Sequence, residues 1–461
     1  MRIYGTVQRI FAFVYVCLIS PLGLAQNTPL NLSPIKSLSA TITAALQNDP
    51  VLLGASAQLR VDAEVLPKAR ADLLPRLSFQ ASQSQNTTTS HNFSPTGART
   101  PDDTNKYDSN TKSLSVSQAL IRPRSWMGYL QGQSVINAAE ATYESAIQQA
   151  IDRAVTAFME KLRLEFEMAS VSVNEASLGL RLRLVQRMVQ AERASLVDLK
   201  TAEANYAQAQ AHTLEISSSL ISATGELSRL TGIEWTFGKS ELGDIKKVGA
   251  ITATVIERKL QGVVELDVEQ HPEVMARKLR LEAAQWEMKK RTSDHSPTLD
   301  LVASISEGSS ASDITIGRYS KTRAVGLQLN IPIYAGGAIT SSVREGAALM
   351  DKAEMDLRNA RMLVANDRRR SLSQIRAGVS SLRAGVDGLE ASELTLRQVN
   401  IGVNTGINSE VELKDALSRK ASSEATLAAS VAKVVSLYSN LRLAQGTLNT
   451  DEMAELSAVL K

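Results

Sequence analysis

The sequence is poor in cysteine, aromatic residues and long apolar runs. Of its 461 residues 4% are aromatic, and Cys17 is the single cysteine. Because Cys17 lies in an N-terminal segment that we expect to be removed, the mature chain must be stabilised without disulfides, by packing or assembly. After that segment no stretch reaches 18 consecutive apolar residues, which excludes a conventional transmembrane helix. If the chain crosses a membrane, we expect it to do so as strands.

The chain also lacks a marked excess of charge and any recognisable catalytic group. The 51 Lys and Arg residues are balanced by 48 Asp and Glu residues, which leaves a formal charge of +3. This is too small to indicate a nucleic-acid partner. The histidines are scattered without metal-ligand spacing, and no nucleophile is accompanied by a base. We therefore expect no cofactor, no metal and no enzymatic activity.

Residues 1–25 have the arrangement of a secretory signal peptide. Arg2 and Arg9 precede an apolar run from Ile10 to Ile19, and small residues lead up to Ala25. This run is much shorter than the roughly 20 residues of a membrane-spanning helix, which favours a cleaved signal over an N-terminal anchor. Cleavage after Ala25 removes two positive charges and lowers the formal charge from +3 to +1.

The rest of the chain contains an internal duplication. An offset of 222 residues superposes Pro50 on Pro272, and each of these prolines is followed by another 25 residues later. Further along, an offset of 214 superposes residues 189–200 on residues 403–414. Two copies of one structural plan are therefore predicted.

Four segments alternate between apolar and small polar residues, two in each half. They are residues 77–82, 113–117, 299–306 and 325–333. This period-two pattern predicts strands with one apolar and one polar face, as in a membrane barrel, although a soluble antiparallel sheet would show the same alternation. Polar, turn-rich segments from Asn86 to Asn110 and from Glu307 to Lys321 are predicted to connect the strands of each pair.

Proline is absent between Pro123 and Pro272 and again after Pro332. Helices are predicted from Arg124 to about Met188 and from about Ala338 to Val403, each about 100 Å long. The second contains apolar residues at alternating spacings of three and four, which predicts a coiled-coil seam. The seam residues are Leu372, Ile375, Val379, Leu382, Val386 and Leu389.

Four strands cannot close a membrane barrel alone, since about eight is the minimum. If the strands cross a membrane, several copies of the chain must therefore contribute strands to one barrel. This reasoning requires an oligomer but leaves its order open, because a dimer would supply eight strands and a trimer twelve.

Short motifs throughout the chain resemble the TolC family of outer-membrane channels. They are Asn48-Asp49-Pro50, Ala71-Asp72-Leu73-Leu74-Pro75, Ile331-Pro332-Ile333-Tyr334 with Gly336-Gly337, and Gly406 at a helix break. The resemblance extends from about Ser37 to Leu448. It implies an α+β membrane protein, in which a homotrimer forms a twelve-stranded transmembrane β-barrel on a coiled-coil periplasmic tunnel. It also implies an outer-membrane location, contact with outer-membrane lipid, and two partners: a periplasmic adaptor of the membrane-fusion type and an inner-membrane transporter, expected to be of the ABC type.

The repeats and this resemblance together suggest a division of the chain. A signal peptide (1–25) precedes a first TolC-like repeat (26–231), a linker or equatorial segment (232–262), a second TolC-like repeat (263–448) and a C-terminal tail (449–461).

The resemblance also assigns residues to a gate at the inner end of the tunnel. Glu412 and Asp415 match two acidic residues that constrict the pore in family members, and three chains would bring six carboxylates together. Asp198 matches an aspartate of the gate lock. The tyrosine and arginine that usually bind this aspartate are replaced here by Val403 and Asn408, and Arg193 or Lys200 are candidates to substitute for them. The alternative is that Glu412 and Asp415 are ordinary solvated residues.

Three functions are compatible with these expectations. The sequence favours an exit channel for type I protein secretion, because it has no lipoprotein cysteine. The outer component of a small-molecule or multidrug efflux pump is the alternative. A non-pore coiled-coil scaffold or adhesin is more distant, because a scaffold does not need a small polar face opposite lipid.

Overall fold

The computed structural model describes residues 37–90, 95, 97, 103–235, 244–262, 267–311 and 317–460. The signal peptide predicted for residues 1–25 lies outside this part of the chain. The described residues all fall in one compact unit, Lys36–Lys461. Across these ranges, no helix has both the length and the apolar character that crossing a bilayer requires.

The two halves share one order of elements. The first half contains α1 (Leu38–Asn48), α2 (Pro50–Ala63), α3 (Val65–Ala71), β1 (Arg76–Ser90), β2 (Asp103–Ile121), α4 (Pro123–Gln190) and α5 (Leu196–Thr231). Helix α6 (Ile245–Gln261) follows. The second half contains α7 (Pro272–Thr292), β3 (Thr298–Ser310), β4 (Arg318–Asn330), α8 (Ala338–Asn404) and α9 (Glu410–Gln445), and α10 (Thr450–Val459) ends the described chain.

The long helices α4 and α8 agree with the sequence-based bounds to within two residues. They contain 68 and 67 residues, so each is about 100 Å long. The six residues of the predicted seam on α8 all belong to the main hydrophobic cluster or pack against it. Ile375 and Leu382 are completely buried. The seam therefore stabilises the coiled coil through the burial of apolar surface.

Shorter helices run beside α4 and α8 in two successive sets. Helices α2 and α3 pack on α4, and α7 packs between α4 and α8. Towards the helical hairpins, α5 packs on α4, and α9 packs between α4 and α8. Helix α9 ends at Gly446, whose left-handed backbone lies so close to Pro272 that a Cβ atom would be 2.6 Å from the proline ring. A larger residue would therefore separate α9 from the start of α7.

The last turn of α9 is held by side chains from three other elements. His271, Arg368 and Gln148 donate hydrogen bonds to the carbonyl oxygens of residues 443, 444 and 446, at 3.1, 3.0 and 2.9 Å. Burial lowers the pKa of His271. Its neutral ring donates from Nε2 and accepts the Glu273 N–H at Nδ1, at 3.2 Å. We call this group of three side chains and four residues (443–446) the α9 joint.

Helices α6 and α10 are integral to the core. Helix α6 crosses α8 and α9, and a Cβ atom at Gly249 would lie 3.1 Å from Leu427 and 3.2 Å from Val386. Lys246 forms an ion pair with Glu393 on α8 at 3.2 Å. Apolar side chains of α10 are buried in the same cluster. The predicted linker and tail segments therefore both contribute packed helices.

The four strands form one antiparallel sheet in the order β1-β2-β3-β4. The connection predicted from Asn86 to Asn110 was too long, because β1 continues to Ser90 and β2 starts at Asp103. The second connection, predicted from Glu307 to Lys321, is shortened in the same way by β3 and β4. Hydroxyl pairs explain the extension: Ser84 and Ser109 lie 2.8 Å apart across the strands, and further pairs follow. The many Ser and Thr residues of these two segments were interpreted as turn residues, whereas in the structure they support strand pairing.

The two faces of the sheet differ in chemistry. One carries apolar side chains that are exposed in the single chain, among them Phe79 (67% exposed) and Val325 (79%). The other carries small hydroxyl residues, with Ser78 and Ser115 hydrogen-bonded at 2.7 Å. The outer edges of β1 and β4 have no partner strand within the described residues.

Candidate functional site at the two helical tips

Each half ends in a helical hairpin with the same backbone turn. The first tip, residues 191–195, joins α4 to α5, and the second tip, residues 405–409, joins α8 to α9. The N–H groups of Arg193 and Ile407 bond to carbonyl oxygens five residues earlier, at 2.7 and 2.8 Å. Glu192 and Gly406 have left-handed φ values of 55° and 77°. Both are therefore helix C-terminal turns of the Schellman type.

Both tips then start a helix with a complete capping box. In the first, the Ser195 hydroxyl accepts the Asp198 N–H at 3.1 Å, and the Asp198 carboxylate accepts the Ser195 N–H at 3.0 Å. In the second, Ser409 and Glu412 make the reciprocal bonds at 3.3 and 2.8 Å. These bonds satisfy N–H groups that the first helical turn leaves without partners.

The caps favour the ionised form of their carboxyl groups. The Ser195 hydroxyl and N–H lower the pKa of Asp198. The Ser409 N–H, assisted by the Asn408 side chain, lowers the pKa of Glu412. Both carboxylates lie in the first turn of a helix, where the helix dipole also favours negative charge.

Asp415 has a different environment, because it faces α4. The Ser177 hydroxyl donates to its carboxylate at 3.0 Å, and Ser177 itself is buried. One turn further along α9, the Ser418 hydroxyl donates to Asn174 at 3.2 Å. These two bonds join α9 to α4 directly above the second tip.

The tips differ most in the packing of one residue pair. At the second tip Asn408 lies over Gly402, where a Cβ atom would be 1.7 Å from its amide oxygen. The Asn408 side chain donates to Glu412 at 3.0 Å. The corresponding residues of the first tip are Met188 and Ala194, so the large and small positions are exchanged.

The predicted gate residues lie near their own tips, and those of the first tip do not contact those of the second within the described ranges. The Asp198 carboxylate is bound by Ser195, while Lys200 pairs with Glu203 at 2.7 Å. Asn408, which the resemblance placed at the gate lock, binds Glu412. In the described part of the chain no hydrogen bond or ion pair links Asp198 to Glu412 or Asp415.

The capping serines and Ser177 were absent from the sequence-based set of site residues. The spacing Ser-x-x-Asp and Ser-x-x-Glu before each helix was the available signal for the caps. Ser177 gave no such signal, because its role depends on a helix more than 200 residues away. Within the described ranges, no group of three or more His, Cys, Asp or Glu side chains is placed to hold a metal ion.

One four-stranded sheet with two open edges, two very long helices and two helical hairpins with short turns make up the described architecture. The family model described as "Outer membrane efflux protein" matches residues 41–233 and 264–450. The chain belongs to this family. Its two matched segments correspond to the two halves found in the sequence, and membership confirms the predicted outer-membrane location.

Similar proteins include two that are named for secretion. The chain is 26% identical to "Proteases secretion protein PrtF" of Dickeya chrysanthemi, over 90% of this chain and 89% of that protein. It is 24% identical to "Alkaline protease secretion protein AprF" of Pseudomonas aeruginosa, over 68% of this chain and 64% of that protein. It is also 24% identical to "Outer membrane protein TolC" of Vibrio cholerae, over 92% and 94% of the two chains.

Solved structures share the fold. The Campylobacter jejuni CmeC outer membrane channel matches with a TM-score of 0.69 over 95% of this chain and 94% of that one, at 16% identity. The outer membrane protein VceC of Vibrio cholerae matches with a TM-score of 0.64 over 89% and 96%, at 18% identity. The predicted fold class, largely helical with a four-stranded antiparallel sheet, is therefore confirmed.

Proposed function

We propose that this chain forms the outer-membrane exit duct of a tripartite export system for type I protein secretion. The duct conducts cargo passively and contributes no catalytic chemistry. Energy for transport comes from an inner-membrane transporter of the ABC type, which a periplasmic adaptor connects to the duct. The observation that carries this proposal is the near full-length similarity to a protein named for protease secretion.

The open sheet supports a homotrimer. Its outer strands β1 and β4 leave backbone groups unpaired within the described chain, and four strands are too few for a closed barrel. Three copies supply twelve strands, which meet edge to edge and enclose the hydroxyl-lined face. The exposed apolar face then lies against lipid, which removes it from water.

The long helices support a tunnel on the periplasmic side. They leave the sheet at the end opposite the β1–β2 and β3–β4 connections, so helices and connections lie on opposite sides of the membrane. In this arrangement residues 26–231 and 263–448 act as the two repeats, with 232–262 as the equatorial segment and 449–461 as the tail.

The second tip supplies the constriction in this proposal. Glu412 and Asp415 from three copies place six carboxylates at the inner end of the tunnel. The capping bonds position Glu412, and the Ser177 bond positions Asp415. Asp198 takes part in the gate from the first tip, through contacts between helices that move when the gate opens.

A comparison of the proteins secreted with and without this chain tests the proposed function and identifies the cargo. Culture medium and cell surface proteins are compared between the wild type, a strain with the gene deleted, and the deletion strain carrying the gene on a plasmid. We expect one or a few large proteins to disappear from the medium of the deletion strain and to return on complementation. An unchanged set of proteins, together with increased sensitivity to drugs and detergents, would replace this proposal with small-molecule efflux.

Conductance tests the constriction. The purified trimer is inserted in planar bilayers, and Glu412→Gln with Asp415→Asn is compared with Glu410→Gln, an exposed residue in the same helical turn. Loss of six carboxylates from the narrowest point should reduce cation preference severalfold and change conductance, whereas the control should leave both unchanged. Equal behaviour of the two variants would remove Glu412 and Asp415 from the pore.

A further inference from the structure

The apolar face of the sheet carries a compact group of charged side chains at one end. Lys112 on β2 is paired in register with Glu307 on β3, and Glu307 is paired with Lys321 on β4. Arg323 lies two residues from Lys321, about 7 Å along the same strand. We call these four residues the basic cluster.

The basic cluster shares its face with the apolar residues. Residues two apart on a strand point to the same side, so Lys112 lies on the face of Leu114 and Arg323 on the face of Val325. Arg323 is paired in register with Ile305, which belongs to the same apolar surface. The cluster is therefore directly adjacent to side chains that face lipid in the proposed trimer.

The position along the strands fixes which side of the membrane the cluster occupies. It lies towards the strand connections, away from the helices, and thus at the outer end in the proposed arrangement. From Arg323 to Asn330, where β4 ends, the strand covers seven residues, about 18 Å along the membrane normal for a strand tilted by ~40°. This is most of the height of the apolar band of outer-membrane proteins, which is about 25 Å. Ile333 and Tyr334, which are 95% and 86% exposed, mark the inner boundary.

The cluster has a surplus of positive charge. Glu307 accepts from Lys321 at 2.5 Å. Lys112 and Arg323 interact electrostatically with Glu307 but form no direct ion pair within the described part of the chain, and both side chains are exposed. Three cations and one carboxylate give a net charge of +2 over two inter-strand spacings, about 10 Å. Cations at the edge of a hydrocarbon layer are strongly favoured by an anionic headgroup beside them.

We propose that the basic cluster binds the phosphate groups of a phosphorylated glycolipid in the outer leaflet of the outer membrane. This inference rests on the proposed function, because it requires the apolar face to lie in lipid. Arg323 supplies the forked donor geometry that suits phosphate oxygens, and Lys112 supplies a second point charge. The ion pair between Glu307 and Lys321 holds the middle of the cluster, and apolar residues below contact the acyl chains.

The test uses the full-length trimer in mild detergent with diphosphorylated and dephosphorylated lipid A as probes. Native mass spectrometry measures how much of each lipid remains bound to the wild type and to Lys112→Gln with Arg323→Gln. We expect the double variant to bind diphosphorylated lipid A about 30-fold more weakly, since each surface cation contributes roughly fivefold near an anionic lipid. The dephosphorylated lipid should bind weakly to both proteins.

Lys106→Gln is the matched control, because Lys106 is an exposed lysine on the same face of β2, six residues further from the apolar band. It should bind the diphosphorylated lipid as the wild type does. Equal binding by the wild type and the double variant would overturn the proposal. The proposal would also be overturned if inorganic phosphate displaced diphosphorylated lipid A from the wild type as effectively as unbound lipid A does. That result would indicate a site for free anions that does not require a lipid.

Trimer formation and bilayer conductance are measured on the same variants. A double variant that forms conducting trimers but loses the lipid supports the inference with the channel intact. A wild type that fails to insert in bilayers would overturn the proposed function itself, whereas a conducting wild type that retains no phosphorylated lipid would overturn only the lipid site.

Discussion

The two helical tips have the same backbone and different side chains. Each has a left-handed residue, a bond that closes the turn over five residues, and a capping box. Yet the first tip places a glutamate at the left-handed position and the second places a glycine there. The second tip also has direct bonds from α9 to α4 through Asp415. Duplication has therefore preserved the turn, while these bonds between the two halves are made by α9 of the second copy.

Exchanging the left-handed residues should have the largest effect. Gly406 has a φ of 77°, so Gly406→Glu should destabilise the second tip by about 1–2 kcal/mol, the cost of a side chain in that conformation. Glu192→Gly should stabilise the first tip by a smaller amount, because glycine also loses more freedom on folding. Hydrogen exchange at the Ile407 and Arg193 amides, which close the two turns, measures both changes.

Gly406→Asn is the control for this exchange, since asparagine tolerates the left-handed region better than other residues. It should cost less than Gly406→Glu. If both variants leave exchange at Ile407 unchanged, the left-handed turn does not contribute to the stability of the second tip.

Removing the capping serines should affect both tips equally. Ser195→Ala and Ser409→Ala each delete an oxygen that accepts an N–H of the first helical turn, and each should cost about 1 kcal/mol. Exchange at the Asp198 and Glu412 amides reports the loss. Threonine at either position keeps the hydroxyl and should restore most of the protection, and an effect at only one tip would contradict their equivalence.

Gly402 and Asn408, which correspond to Met188 and Ala194 of the first tip, should be energetically coupled. Gly402→Ala forces the Asn408 side chain away from Glu412, and this loss is partly offset by the better helix propensity of alanine. Adding Asn408→Ala should remove the steric conflict, and alanine is also the residue at the corresponding position of the first tip, Ala194. A double-mutant cycle on local unfolding should give a coupling of about 1 kcal/mol. If the free-energy changes of the two single variants simply add in the double variant, the side chain of Asn408 has no steric contact with residue 402.

Acidification should loosen the second tip before the first. Both carboxyl groups have lowered pKa values in the folded chain, so the caps contribute fully above the ordinary values and lose this contribution as the pH falls through the lowered ones. The ordinary values are 4.5 for Glu412 and 3.8 for Asp198. Protection of the Glu412 amide should therefore begin to fall at a higher pH than protection of the Asp198 amide. Asp198→Glu should move the onset at the first tip to that of the second.

Much of this architecture could be predicted because its signals are local. The helix bounds followed from missing prolines, and the seam from Leu372 to Leu389 followed from its spacing. The strand ends were wrong because Ser and Thr were interpreted as turn residues before their cross-strand partners were known. Ser177 could not be found at all, since its partner Asp415 comes from the other half of the chain.

The α9 joint has a mechanical consequence. Its hydrogen bonds come from three separate elements, so they restrain the upper end of α9 against rotation as well as translation. Below it the helix extends 36 residues, a lever arm of about 54 Å. A rotation of about 5° at the joint displaces the far end by about 5 Å, roughly the pitch of one helical turn. A change in the hydrogen bonds of His271 or Arg368 therefore alters the anchorage of the same helix that carries Glu412 and Asp415 at its other end.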